Sequence, residues 1–372
     1  MDIMPHLRLM VEKGASDLFY STGTPVHIKI DGDTLPIGKE PLKPGETKAM
    51  AYSIMNDDQL KNFEATLESN IAISVKNVGR FRVNVFQQRG EVAMVIRYIK
   101  RDIPSIEELH LPLILKDLVM EMRGLILMVG STGSGKSTTL ASMLDHRNTV
   151  KRGHILTVED PIEYIHHHKL SVVNQREIGL DTLSFKSALQ NAMREAPDVI
   201  LIGEIRDEDA MRHAISYAET GHLCLATLHA NNTFQTFDRI MNFFPPEQHN
   251  QLKLELSMNL QAIVSQRLVP GLNSRYVPAV EVLLNSPYIS ELIRKGEFAA
   301  IPEVQEKSTN IGMQTFDQSL YDLYDSGKIS LEEALRNANS RNNLALKIRL
   351  AEGGSTEDAD RAWEITDEEF RL

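Results

Sequence analysis

Two kinds of hydrophobic pattern divide the chain. Up to about residue 100 the apolar positions come in short runs rich in β-branched side chains, "PVHIKID", "SNIAISV", "FRVNVFQ" and "EVAMVIRYI", separated by Gly, Asn and charged turns. Such runs predict a small sheet with antiparallel pairs. In "KRDIPSIEELHLP", Pro104 and Pro112 flank a polar stretch, and a domain joint is expected there. From Gly124 onward the runs become short and almost continuously apolar: "LILMVG", "HILTVE", "DVILIG" and "LCLATL", each followed by a helical or loop segment. That is the pattern of a parallel sheet covered on both faces. "SFKSALQNAMRE" and "RDEDAMRHAISYAE" supply helices, and beyond Pro270 the pattern predicts mainly helix. Phe316, Leu320, Leu323 and Tyr324 recur at helical spacing, Gly327 ends that helix, and Ser330 with Glu333 predicts a capping box opening the next.

The expected organisation is an α+β domain over 1–101, a joint over 102–112 and an α/β domain over 113–351, whose helical part starts near residue 270. An acidic, flexible tail with the lone Trp363 is expected over 352–372. A length of 372 residues exceeds one ordinary core and agrees with two domains. Lys116, Asp117, Glu121 and Arg123 interrupt the most apolar neighbourhood, so no run reaches the roughly 18 residues of a membrane span. The start "MDIMPHLRLMVEKG" lacks the blocks of a signal peptide, and a cytoplasmic location is expected. A single cysteine, Cys224, requires no disulfide framework and is assigned to core packing. The net charge of −11 argues against broad contact with a nucleic-acid backbone.

Chemistry enters at "GSTGSGKS", residues 130–137, which fits G-x-x-x-x-G-K-S/T directly after a predicted strand and before a predicted helix. In such a loop the backbone N–H groups of Ser131, Thr132, Gly133, Ser134, Gly135, Lys136, Ser137 and Thr138 converge on phosphates. Lys136 supplies a cation between them and Ser137 offers its hydroxyl to Mg²⁺. Binding of a nucleoside triphosphate is the expectation. Hydrolysis needs carboxylates to orient water and support the metal. "TVEDPIEY" places Glu159, Asp160 and Glu163 just past one strand end, and "DVILIGEIRD" places Glu204 just past another.

Other polar features carry weaker signals. His222 and His229 bracket the strand "LCLATL" at odd spacing, so they point to opposite faces about 23 Å apart and cannot chelate one ion from an extended strand. The three histidines of "IHHHK", from His166, have no acidic or thiol partner at ligand spacing and are read as a solvated loop. Arg80 and Arg82 share one strand face, and Arg97 lies on the following strand of the same hairpin; Arg89 is read as solvated.

In order, "GSTGSGKSTT", "ILTVEDPIEY", "REAPDVILIGEIRD" and "ETGHLCLATLHANN" resemble the Walker A, Asp box, Walker B and His box of the ATPases of type II secretion and type IV pili. "EKGASDLFYSTGTPVHIKIDG" and "GMQTFDQSLYDLYDSGKISLEEAL" resemble the PilT/PilU retraction branch, and the resemblance covers roughly residues 7–351. It implies a homohexameric ring of chains, each with a PAS-like N-terminal domain and a RecA-like P-loop domain that hold ATP and Mg²⁺ between them. It gives Glu163 the positioning of the attacking water and Glu204 the support of the metal through water, with the two duties exchangeable. By the same resemblance His222 and His229 touch the γ-phosphate side or relay its loss, and Arg82 and Arg97, with Arg80 a third candidate, neutralise charge on the transferred phosphoryl group. The implied partners are the inner-membrane pilus platform protein and a related retraction ATPase, with membrane contact only through partners. Extension ATPases of these systems carry a tetracysteine zinc site that a one-cysteine chain cannot build, which favours retraction. "PYISELIRKGE" departs from the branch's "AIRNLIRE" segment, and Phe19 stands where its main motor has His; both lean toward the accessory, PilU-like member. The rival readings are an extension or secretion ATPase, a nucleic-acid translocase and a non-hydrolysing ring member.

Overall fold

The computed structural model describes residues 2–352 except Asp31, so residues 353–372 of the acidic tail, with Trp363, lie outside the described residues. The chain packs as two units. The first comprises Met1–Ile103 with the later segments Asp160–His167 and Arg176–Ser184, and the second the intervening segments and the rest of the described chain.

The first unit is built on one antiparallel sheet of β1 (Asp17–Tyr20), β2 (Val26–Ile30), β3 (Asp33–Ile37), β4 (Glu68–Val75), β5 (Gly79–Gln88) and β6 (Glu91–Ile99), in the order β3-β2-β1-β6-β5-β4. Period-two alternation is clear in β5, where Phe81, Val83 and Val85 are buried while Arg80, Arg82 and Asn84 look the other way and are half-buried. The buried face forms one core with Leu7, Met10, Met50 and Phe63. Arg89 and Gly90 both take positive φ, 49° and 80°, in the tight turn joining β5 to β6. Two strands escaped the sequence pattern. β1 has only four residues, and β3 is an exposed edge carrying Pro36, where a missing N–H is harmless.

The second unit holds β7 (Gly124–Val129), β8 (Gly153–Glu159), β9 (Ser171–Glu177), β10 (Val199–Ile202), β11 (Leu223–Leu228), β12 (Leu260–Pro270) and β13 (Tyr276–Leu284), ordered β13-β12-β7-β11-β10-β8-β9. The four apolar runs are β7, β8, β10 and β11, and they pair in parallel. Every residue of β7, β10 and β11 is buried, as helices on both faces require. β12 runs parallel to β7 and antiparallel to β13. The helical part therefore begins at Pro287, not near residue 270: "YVPAVEVLL" is β-branched enough to pair with β12 along its whole length. Gly327, at φ 66°, closes the helix Phe316–Asp325. Ser330 caps the helix Leu331–Asn337 by accepting from the Glu333 N–H, but the Glu333 carboxylate turns to Asn337 and Arg336 instead of completing a capping box.

Arg147, on the helix Lys136–Val150 that follows the glycine-rich loop, is 3% exposed and donates to the carbonyls of Val119 and Glu121 at 2.6 and 2.8 Å. It ties the end of the helix Ile114–Met120 to the helix behind the loop. Arg147→Leu leaves these two carbonyls unpaired, at a cost of about 2 kcal/mol, and should lower the unfolding midpoint by about 5 °C. A thermal melt followed by circular dichroism checks it; an unchanged midpoint contradicts this role.

Candidate active site

The loop 130–137 leaves the buried end of β7 and turns into the helix Lys136–Val150. Two of its glycines are required by the backbone, Gly133 at φ 78° and Gly135 at φ 88°. Gly130 is required by space: a Cβ there would lie 2.5 Å from the Gln266 carbonyl oxygen and from Ser134 Oγ. Ser131, Thr132 and Gly133 form an exposed rim, while Ser134 and Lys136 are buried. The Lys136 ammonium donates to the carbonyls of Gly130 and Ser131, at 2.9 and 2.8 Å, so the cation is held over the mouth of the loop by its own backbone. Ser134 Oγ is buried without a hydrogen-bond partner among the described residues. A helix N-terminus, a fixed cation and an unsatisfied hydroxyl fit an oxyanion-rich phosphate chain.

Gln266, in the middle of β12, braces this loop. Its Nε2 donates to the Ser134 carbonyl at 2.9 Å, and its Oε1 accepts from Thr139 Oγ1 at 2.7 Å. The sequence pattern did not single out Gln266. Beside the loop, an apolar cleft of about 390 Å³ is lined by Leu109, Leu111, Thr138, Leu268, Tyr276 and Pro278. Its size and lining suit a flat heteroaromatic base.

Glu204 follows β10, and His229 follows β11, two strands over and one strand over from β7 in the same sheet. Parallel pairing brings all three carboxyl ends to one side, where open α/β sheets bind ligands. His229 Nε2 lies 3.2 Å from Glu204 Oε1, and Arg206 Nε is 2.7 Å from the other carboxylate oxygen. A second cleft, of about 310 Å³, is lined by Gly130 and Ser131 of the loop together with His229, Asn231, Gln235 and Arg239. The loop, His229 and Glu204 thus form one constellation, polar and open to water on one side.

His222 lies elsewhere. It stands at the amino end of β11, with Nδ1 within 3.1 Å of Thr220 Oγ1 and 3.3 Å of the Tyr217 carbonyl oxygen. A strand of six buried residues separates it from His229, so within one chain the two do not share a site. Cys224, between them, is fully buried, and burial pushes its thiol well above the usual range.

In the first unit Arg82 and Arg97 are cross-strand partners, and Arg97 Nε pairs with the buried Asp17 at 2.8 Å. Arg80 and Arg82 lie near Glu177, whose buried carboxyl is pushed up by desolvation, opposed by the Ile162 N–H that it accepts at 3.3 Å and by the two arginines. Arg80 Nε is buried without a hydrogen-bond partner among the described residues. Glu163 is exposed, on a segment that packs with this unit. The histidine triplet lies in a loop with His167 and His168 exposed, and only His166 differs from the solvated loop expected. His166 is 8% exposed, and His168 Nδ1 accepts the Val173 N–H at 3.0 Å. No cluster of three metal-ligating residues occurs among the described residues.

Comparisons with known proteins agree with this arrangement. The family model described as type II/IV secretion system protein matches residues 1–337. The chain is 52% identical over 367 residues to the type IV pilus ATPase PilU of Pseudomonas aeruginosa, covering 98% of this chain and 95% of the relative. It is 43% identical over 344 residues to the type IV pilus retraction ATPase PilT of the same organism, covering 92% of this chain and all of the relative. Among solved structures, the pilus retraction motor PilT with bound ADP matches with a TM-score of 0.86 at 42% identity, covering 91% of this chain and 98% of that one. The chain belongs to the type II/IV secretion system protein family, in its PilT/PilU branch of pilus retraction ATPases.

Proposed function

We propose that this ATPase works as a homohexameric ring with MgATP bound on the loop 130–137, and that it turns the inner-membrane pilus platform so that pilin returns to the bilayer. The observation that supports hydrolysis, beyond binding, is the constellation of Lys136, Glu204 and His229 at the carboxyl ends of neighbouring strands. The greater identity with the relative named PilU than with the one named PilT supports an accessory role beside a related motor. No described helix is long and apolar enough to cross a membrane, and contact with the bilayer is assigned to partners.

Each residue has a role in this reading. Backbone N–H groups of 131–138 and the Lys136 ammonium bind the phosphates, and the apolar cleft at Leu109, Leu268 and Tyr276 takes the base. Ser137 and Glu204 would hold Mg²⁺, which would supply positive charge beside the phosphate oxygens. Glu204, fixed on two sides by Arg206 and His229, orients a water molecule, and His229 reports loss of the γ-phosphate. For Glu163, Arg82 and Arg97, all in the first unit, we propose the roles that the family resemblance implies: positioning of the attacking water and neutralisation of phosphoryl charge. His222, remote from the loop within its own chain, has its role outside that chain's phosphate site.

Glu204→Gln should lower kcat by roughly 10² or more while the Kd for ATP changes less than about threefold, because a carboxylate that acts on water contributes little to ground-state binding. Phosphate release and titration of a fluorescent ATP analogue read the two; equal losses in both would contradict the assignment. Gln266→Ala removes the brace from the loop without touching phosphate, and should raise KM about tenfold with a smaller fall in kcat. Unchanged KM would show that the loop holds its shape unaided. In cells, deletion of the gene should reduce twitching while surface pili persist; loss of the pili themselves would overturn retraction.

A further inference from the structure

β12 presents its two faces to different parts of the second unit. Gln266 reaches the phosphate loop, as described above. Its neighbours Ser265 and Arg267 point the other way, by the alternation of a strand, and both donate to the Asn231 carbonyl, at 3.4 and 3.2 Å. Asn231 lies two residues beyond His229, in the turn that Asn232 caps as it opens the helix Thr233–Met241. Opposite Ser265 on β13 stands Glu281, 4% exposed, whose carboxylate accepts the Thr233 N–H at 2.8 Å. The same Arg267 donates through Nη1 to the Asn337 carbonyl and through Nη2 to Asn339 Oδ1, both at 2.8 Å, and its guanidinium stacks 3.9 Å over the Phe316 ring. One half-buried fork thus touches both the turn after His229 and the connection between the C-terminal helices Leu331–Asn337 and Arg341–Ala351.

We propose that Arg267 and Glu281 are positioning residues that hold the turn at Asn231–Thr233 to the C-terminal helical connection, so that the state of His229 at the phosphate site and the state of residues 337–340 are set together. The planar five-donor guanidinium is suited to this task, because it satisfies three acceptors from two distant elements in one rigid geometry. Glu281 supplies the counter-charge and the one acceptor for the first free N–H of the helix, which a neutral apolar side chain would leave buried and unpaired. Burial raises the Glu281 carboxyl to about 7, against the opposing pull of the Thr233 N–H and Arg267, while Asp317 on the helix Phe316–Asp325 pushes in the same direction as burial. The clamp is therefore fully charged above neutrality and loses its anion as pH falls through about 7.

The inference rests on the ATPase reading for its rate measurements, but its structural readout does not. In amide hydrogen exchange of the full chain, Arg267→Ala should raise exchange in peptides covering 229–237 and 336–343 together, by about tenfold or more. Arg267→Lys, which keeps the charge and loses the fork, should do so to a lesser degree and covers the case in which the alanine variant fails to fold. In turnover, Glu281→Gln should leave binding of a fluorescent ATP analogue within about twofold and lower kcat about fivefold at pH 8. It should also flatten the wild type's fall in kcat between pH 8 and 6. Exchange that rises in only one of the two peptides, or a Glu281→Gln enzyme with the wild-type rate and pH profile, would overturn the proposal. A wild-type protein that exchanges as expected yet releases no phosphate would instead sink the ATPase reading.

Discussion

A buried amide must find partners, and on β12 that requirement shapes the surroundings of the phosphate site. Gln266 satisfies both ends of its side chain on the phosphate loop and the helix behind it. Ser265 and Arg267 satisfy theirs on the turn that carries His229 into the next helix. The strand lies beside β7, which delivers the loop, so neither contact needs a long lever. Removing Gln266 strands its partners in a dry interior, because both of its hydrogen bonds are buried, whereas the Arg267 fork is half-buried with its Nη2 bonds open to water.

The same geometry divides the labour among the acidic and imidazole groups. Parallel strands carry Glu204 and His229 to their carboxyl ends and leave His222 at the amino end, so a motif read as one box is two separate sites within a chain. Glu204 gains rigidity from partners on both oxygens, and a rigid carboxylate is what orientation of water demands. Cys224, between the histidines, contributes only packing.

What was legible in the sequence followed from locality. The loop 130–137, the four apolar strands and Glu204 depend on neighbours a few residues away, and each emerged where its pattern placed it. β12 was not legible, because Gln261, Ser265, Gln266 and Arg267 break its apolar run and their partners are remote: 127 residues separate Gln266 from Thr139, and 70 separate Arg267 from Asn337. Glu281 reads as an ordinary charged residue in "VPAVEVLL" until its partner strand and the helix start at Thr233 close over it. The burial of His166 went unread for a similar reason, since a run of three histidines does not say which one folds inward.

If phosphate loop, His229 turn and C-terminal connection are braced by one strand, a change of nucleotide must reach all three. The most direct measurement is amide exchange of the wild-type protein loaded in turn with a slowly hydrolysed ATP analogue and with ADP. Peptides covering 130–137, 229–237 and 336–343 should change protection together between the two states. A change confined to 130–137, with the other two segments indifferent to the nucleotide, would contradict it.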